Sequence, residues 1–233
     1  MKVTQRAIRN YFPNGTFARR LQPLPDYGCI YVRNAKVATS TTLLWLNRVH
    51  TGDHGFVTNG NIHTEHTLPS VEDVGWDKVL DMLNGAAFRF AFVRDPVKRL
   101  ESAYLSKVVR LRRNRGRAAL QETLGLPVDP DEDVTLEQFV AAIEMQDPRR
   151  MDAHWRPQHL NLGHGLIHYD FVGRLETFAA DVARIREATG MPDVPLPQRN
   201  ASKTPATGLL DDRPDLLRRV RDIYARDFEV YGY

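Results

Sequence analysis

A nearly continuous apolar run, Phe88–Val93, is followed one residue later by Asp95 and Pro96, and this junction restricts the fold more than any other feature of the sequence. Such a run is typical of a strand that is buried on both faces of a parallel sheet. Asp95 suits the N-cap of a helix and Pro96 its first position. The buried stripe of this helix is expected at Leu100, Ala103, Tyr104 and Val108.

A second strand, loop and helix lie nearer the amino terminus. Residues 28–32 are apolar, the pattern breaks at residues 33–36, and from Ser40 apolar residues recur with helical spacing. Further helices are predicted at 71–83, 135–143 (capped by Thr135), 176–189 and 212–231, and a further strand at 169–172. This alternation predicts an α/β fold with a parallel sheet covered by helices on both faces, and 233 residues suit a single domain, 1–233.

Two segments without periodicity separate these elements. Residues 50–69 are rich in glycine, threonine, histidine and asparagine, which favours an ordered functional loop or a lid. Residues 125–133 form a polar break.

The composition excludes several classes of protein. An apolar fraction of 42% and a charged fraction of 26% are those of a globular chain, and a net charge of +3 is too small to indicate a polyanionic partner by itself. The single cysteine, Cys29, has no partner for a disulfide or a zinc site, which indicates a reducing compartment. Residues 1–20 lack the apolar run of a signal peptide and no window matches a membrane span, so we expect a cytosolic protein.

The first strand leads into a segment that has the features of an anion site. It reads Lys36-Val37-Ala38-Thr39-Ser40-Thr41-Thr42. Small residues at a helix amino terminus expose backbone amides, the helix dipole favours negative charge, and the lysine adds a positive one. The segment is not a Walker A motif, which disfavours a nucleotide hydrolase. The alternative interpretation is an ordinary helix capped by serine or threonine.

Arg94 and Ser102 form the second candidate anion site. Arg94 leaves the carboxyl end of a core strand, where open α/β sheets bind ligands, and Ser102 follows two helical turns into the next helix. Both side chains can then face one small anion. The alternative is a helix capped by Asp95 and Pro96 beside an exposed arginine.

With both segments present, the chain resembles the carbohydrate sulfotransferases (sulfotransferase family 2) of the chondroitin 4-O and HNK-1 types and, more distantly, heparan sulfate 2-O-sulfotransferase. In that family a Lys-Val-small-small-Ser/Thr-Ser/Thr loop binds the 5′-phosphosulfate of 3′-phosphoadenosine 5′-phosphosulfate (PAPS). A Val-Arg-Asp/Glu-Pro-x-x-Arg-Leu-x-Ser-x-Tyr segment binds the 3′-phosphate. Further matches are residues 154–158, 169–177, 200–202, 224–228 and 231–233. The family has proline and often glycine where this chain has Ala35 and Ala38, and a backbone that needs positive φ at position 38 would resist alanine.

The resemblance implies a P-loop-type fold and a PAPS-dependent sulfotransferase that modifies a hydroxyl, inferred to belong to a sugar. It makes Lys36 the electrostatic catalyst, Val37 to Thr41 further donor contacts, and Arg94 and Ser102 the ligands of the 3′-phosphate. No metal is required. His63 and His66 are both candidates for the general base, and solvated histidines on a surface loop are the alternative. His154 is another candidate base, although with Trp155 it could equally lock a loop.

Two other classes remain open: a P-loop-like nucleotide kinase and a non-catalytic module that binds nucleotides or nucleic acid. The basic run 107–117 has no interleaved aromatic residues, so we expect a solvated helix face and no nucleic-acid partner.

Residues 199–203 carry two further features. Arg199 and Lys203 are candidates for closing over PAPS, and Asn200-Ala201-Ser202 fits a glycosylation acceptor that has no meaning in the cytosol. The sequence specifies neither the acceptor nor the oligomeric state.

Overall fold

The computed structural model describes residues 2–12, 17–58, 60–110, 117–127, 133–197 and 208–233. The chain divides into two compact units, each with its own hydrophobic core. Unit 1 comprises Met1–Val93 and Leu162–Arg199, and unit 2 comprises Arg94–Asn161 and Asn200–Tyr233. The single domain expected from the chain length stays a prediction.

Unit 1 contains the sheet and the helices next to it in sequence. Its strands are β1 Leu21–Leu24, β2 Cys29–Val32, β3 Phe88–Val93 and β4 Phe171–Arg174, and its helices are α1 Gln5–Tyr11, α2 Thr39–Thr51, α3 Val71–Val74, α4 Trp76–Asp81 and α9 Phe178–Thr189. The helix predicted at 71–83 is interrupted because Gly75, at φ 85°, caps α3 and starts α4. A π-helical turn over Met82–Ala86 follows α4.

The four strands lie in the order β1-β2-β3-β4. β2, β3 and β4 are parallel, with Val32 opposite Ala91 and Val93 opposite Arg174. Consecutive residues of β2 and β3 are buried, and because alternate residues point to opposite faces, both faces of these strands are covered. The prediction of an α/β fold with a parallel sheet is confirmed, and β1 adds a strand at one edge that pairs with β2 in the antiparallel sense.

Arg89 interrupts the apolar run of β3, and an ion pair explains how it is accommodated. Its Nε and Nη2 atoms lie 2.8 and 2.9 Å from the two carboxylate oxygens of Asp170, which also accepts the Arg89 backbone N–H. These hydrogen bonds lower the pKa of Asp170. The pair joins β3 to the residue that precedes β4.

Gly173 lets β4 approach the centre of the sheet closely. A Cβ at this position would lie 2.6 Å from the ring of Phe92 in β3, nearer than a Cβ can come to another carbon atom. The core of unit 1 therefore requires a residue without a side chain here.

Unit 2 is helical. Its helices are α5 Pro96–Ala103, α6 Arg117–Leu124, α7 Leu136–Glu144, α8 Gln158–Asn161, α10 Pro214–Ile223 and α11 Ala225–Tyr231. The Asp95 carboxylate accepts the Lys98 N–H, and Thr135 forms a capping box with Gln138, as their positions predict. The four residues predicted as the buried stripe of α5 and the π-helical Tyr104–Val109 are all buried.

The last predicted helix, 212–231, is divided into α10 and α11 at Tyr224. The Tyr224 hydroxyl donates to the Trp155 carbonyl oxygen at 2.6 Å, and the ring is buried in the core of unit 2. A tertiary contact therefore marks the break that helical periodicity does not reveal.

Candidate functional site

The segment that links β2 to α2 has an unusual backbone. Lys36 and Ala38 have φ values of 68° and 47°, and within the described ranges no other residue except glycine has a positive φ. Ala38 occupies the N-cap position of α2 without a side-chain cap, and the first turn of that helix contains no acidic residue. The amino terminus of α2 therefore presents amides and a lysine where an anion would be stabilised.

The sequence left open whether alanine at position 38 can adopt the positive φ that the glycine of the family would allow. The structure has Ala38 in the left-handed conformation, at φ 47°. Glycine is the usual residue at such a backbone angle, and alanine there costs about 1 kcal/mol. The backbone retains this conformation nevertheless, so alanine does not prevent the loop from turning into the helix.

Contacts within unit 1 hold the segment in place. The buried Asn34 donates its side-chain amide to the Phe92 carbonyl oxygen of β3 at 3.1 Å, and Thr39 Oγ1 donates to the Asn34 carbonyl oxygen. Val37 is fully buried, so its side chain packs in the core. Of the residues predicted to contact PAPS, Ser40 and Thr41 are partly exposed.

His63 contacts this segment. Its Nε2 atom lies 3.0 Å from the Ser40 hydroxyl, and its backbone N–H donates to the Asn61 side chain at 3.1 Å. Ser40 belongs to the first turn of α2. The structure thus places His63, one of the two candidate bases, next to Ser40, a residue predicted to contact PAPS.

His66 is held differently, although it lies in the same loop. The guanidinium Nη2 of Arg33 lies 3.0 Å from His66 Nε2 and also donates to Gln22 Oε1. Burial, followed by the positive charge of Arg33 and the electrostatic influence of the neighbouring His63 ring, lowers the pKa of His66 from 6.5 to about 4. His66 is therefore neutral at physiological pH, with Nε2 occupied as an acceptor. This contact could not be predicted from the sequence, because nothing in the spacing links Arg33 to His66.

In unit 2, Arg94 follows directly on β3 and precedes the capping residue of α5. Its backbone N–H donates to Gln158 Oε1 at 3.0 Å, and its carbonyl oxygen accepts from Gln158 Nε2 at 2.8 Å. Ser102 lies in the second turn of α5 and is partly exposed. Sequence reasoning did not identify Gln158, although it lies in one of the matched segments.

Arg99, which follows Arg94 in the segment matched to the family, makes hydrogen bonds that stabilise the fold of unit 2. Arg99 is buried and donates to the carbonyl oxygens of Arg156 and Ala153, each at 2.9 Å. Burial lowers its pKa. Arg99 therefore fixes the turn before α8 to α5.

The contacts of His154 and Trp155 match those expected of a locked loop. His154 Nδ1 lies 2.5 Å from Asp152 Oδ1, while the buried Trp155 donates to Gln146 Oε1 at 3.0 Å and packs edge-on against Phe139. The role of His154 as an alternative base stays a prediction.

Several predicted features lie outside the described residues. They are Arg199, Asn200, Ala201, Ser202, Lys203 and residues 111–116 of the basic run. In the part of the chain that the structure describes, no helix is long and apolar enough to cross a membrane. Over the same residues, no three metal-ligating side chains of histidine, cysteine, aspartate or glutamate form a cluster.

Comparison with known proteins identifies the family. Residues 22–233 match the family model described as the sulfotransferase family. Carbohydrate sulfotransferase 14 of Homo sapiens and that of Mus musculus are each 32% identical over 158 residues, which cover 63% of this chain and 42% of theirs. The Danio rerio protein of the same name is 31% identical over 160 residues, covering 63% of this chain and 44% of its own. The chain thus spans less than half the length of these curated relatives, and no solved structure gives a significant match. Because the family model covers nearly the whole chain, the protein belongs to the sulfotransferase family.

Proposed function

We propose that the protein transfers the sulfuryl group of PAPS to a hydroxyl of a carbohydrate. The observation that carries this proposal is the backbone of residues 36–38, which turns through two left-handed residues into the uncapped amino terminus of α2. Family membership and the relatives named carbohydrate sulfotransferase support the reaction class and the kind of acceptor.

The first-turn residues of α2 and the preceding loop fit the 5′-phosphosulfate end of the donor. Lys36 supplies a positive charge, the backbone of Ala38 to Thr41 supplies amides, and Ser40 and Thr41 supply hydroxyls. No acidic residue in the first turn of α2 would repel the anion. Helix amino termini bind such groups through amides and the helix dipole together.

Arg94 and Ser102 are proposed to hold the 3′-phosphate. Arginine binds phosphate through two parallel N–H groups, which also fixes the orientation of the nucleotide. The Lys36 segment follows β2 and Arg94 follows β3, two neighbouring parallel strands. Open α/β sheets bind their ligands at the carboxyl ends of such strands.

In the proposed reaction, the acceptor oxygen forms a bond to sulfur while the bond from sulfur to the 5′-phosphate oxygen breaks. The electron pair of that bond leaves with 3′-phosphoadenosine 5′-phosphate (PAP), and the hydroxyl proton passes to a histidine. Lys36 stabilises the negative charge that develops on the bridging oxygen.

We assign His63 as the general base in preference to His66. A base is most effective when its pKa lies near the working pH, and a pKa of about 4 makes His66 a poor proton acceptor at neutral pH. Arg33 also occupies the Nε2 atom of His66, whereas His63 Nε2 faces a serine hydroxyl that water or an acceptor can replace.

Isothermal titration calorimetry with PAP, ATP and duplex DNA tests the proposal, together with transfer of radiolabelled sulfate to a panel of glycans. We expect PAP to bind at least tenfold more tightly than ATP and labelled product to form on at least one glycan. Preference for ATP would instead identify a nucleotide kinase. Preference for DNA would identify a nucleic-acid-binding module.

A further inference from the structure

The amide group of Gln158 holds the backbone of Arg94 on both sides. It accepts the Arg94 N–H at 3.0 Å and donates to the Arg94 carbonyl oxygen at 2.8 Å. Gln158 is fully buried, so water does not compete for these bonds. Arg94 is the first residue after β3, and the Gln158 amide satisfies its backbone N–H and carbonyl oxygen as the backbone of a neighbouring strand would within a sheet.

Asp227 fixes Gln158 in turn. One oxygen of its carboxylate accepts the Gln158 backbone N–H at 2.6 Å, and the other accepts the His159 N–H at 2.9 Å and lies 2.7 Å from His159 Nδ1. Asp227 is fully buried in the first turn of α11. The buried Arg99 is close enough for its charge to be favoured by that of Asp227.

This chain of contacts has a consequence for the Arg94 side chain. A residue at the end of a strand would otherwise be free to change φ and ψ, and its guanidinium would sample many directions. Holding both backbone polar groups restricts those angles, so less conformational entropy is lost when the guanidinium binds a ligand.

We propose that Gln158 and Asp227 are positioning residues for Arg94, and that they set the preference of the donor site for a nucleotide that carries a 3′-phosphate. The inference rests on the proposed function, because it assumes that Arg94 binds that phosphate. Both residues are fully buried and act through the backbone of Arg94. Their effect is therefore confined to ligands that engage Arg94.

The test uses calorimetry to compare the affinities of the 233-residue chain for PAP and for adenosine 5′-phosphate, which lacks only the 3′-phosphate. The variants are Gln158→Met, which keeps the volume and removes both bonds, and Gln158→Glu, which keeps the shape and the acceptor but loses the donor. We expect each to reduce the ratio of the two affinities by about tenfold, corresponding to about 1.4 kcal/mol. Arg94→Ala should reduce the ratio at least as far, and adding Gln158→Met to it should not reduce the ratio further.

Asn161→Ala is the matched control. Asn161 is also fully buried in unit 2 and donates its amide to a backbone carbonyl oxygen, that of Ala153, at 2.8 Å. We expect this variant to lose stability and to keep the wild-type affinity ratio, since a purely structural defect weakens both nucleotides alike.

Two outcomes would overturn the inference in distinguishable ways. If Arg94→Ala loses the preference for PAP while both Gln158 variants keep it, the positioning role is wrong and the proposed function stands. If the wild-type protein does not prefer PAP to adenosine 5′-phosphate, the assignment of Arg94 fails, and the inference fails with it.

Discussion

The Ser40 hydroxyl lies 3.0 Å from His63 Nε2, which joins the first turn of α2 to the loop that carries both candidate bases. His63→Ala should lower kcat by about 10²- to 10⁴-fold, the usual contribution of a general base, and should change the affinity for PAP little. Sulfate transfer and calorimetry measure the two effects. His54→Ala, which alters an exposed histidine of the same loop, is the control and should retain full activity.

His66 should contribute to the pH dependence of stability and not to proton transfer. Its pKa is lowered from 6.5 to about 4 in the folded protein, so between these values the unfolded chain binds more protons than the native one. The free energy of unfolding should therefore fall as the pH is lowered from about 6.5 to about 4. In His66→Gln, which keeps an acceptor for Arg33, that slope should become shallower in urea titrations. An acidic limb of the kcat profile centred near pH 4 that disappears in this variant would identify His66 as the base.

Lys36→Ala should abolish turnover, with a loss of at least about 10²-fold in kcat. The positive charge stabilises the leaving oxygen, and alanine cannot replace it. Lys98→Ala, on the exposed surface of α5, controls for the general loss of a lysine. Wild-type kcat in Lys36→Ala would contradict the electrostatic role.

Ala38→Gly should raise the free energy of unfolding by about 1 kcal/mol, because glycine adopts the left-handed conformation at φ 47° without steric cost. Chemical denaturation measures the change. Ala87→Gly serves as the comparison, since Ala87 has an extended backbone at φ −147° and glycine there should not stabilise the protein.

Gly173→Ala should lower the free energy of unfolding by about 1–3 kcal/mol, since the added methyl group overlaps the ring of Phe92. Phe92→Leu should relieve part of this clash. In a double-mutant cycle the combined variant should then lose less stability than the sum of the two single changes. Strict additivity would show that the two residues do not interact.

Local patterns in the sequence predicted the elements that surround the candidate site. The apolar run of β3, the cap at Asp95 and the buried stripe of α5 were all predicted correctly, because each depends on residues that are close in the chain. β1 was missed because Leu21-Gln22-Pro23-Leu24 is short and contains proline, and its antiparallel direction depends on its pairing with β2.

The contacts that distinguish the candidate residues could not be predicted in this way. Arg33 and His66 are separated by 33 positions, and Arg94 and Gln158 by 64. From the sequence alone both histidines were candidate bases, and they are distinguished by the Arg33 guanidinium beside His66 and the Ser40 hydroxyl beside His63. The expected cytosolic location, the absence of a nucleic-acid partner and the single-domain organisation stay predictions.

Pro23 has a further consequence for the outer strand of the sheet. It lies opposite Ile30, and because proline has no N–H group, β1 lacks one of the donors that a strand from another molecule would use. Gln22 also directs its amide to the Pro69 carbonyl oxygen, which draws the segment before α3 towards this strand. Both features discourage edge-to-edge association between copies of the protein, so this boundary of the sheet is protected against aggregation through strand addition.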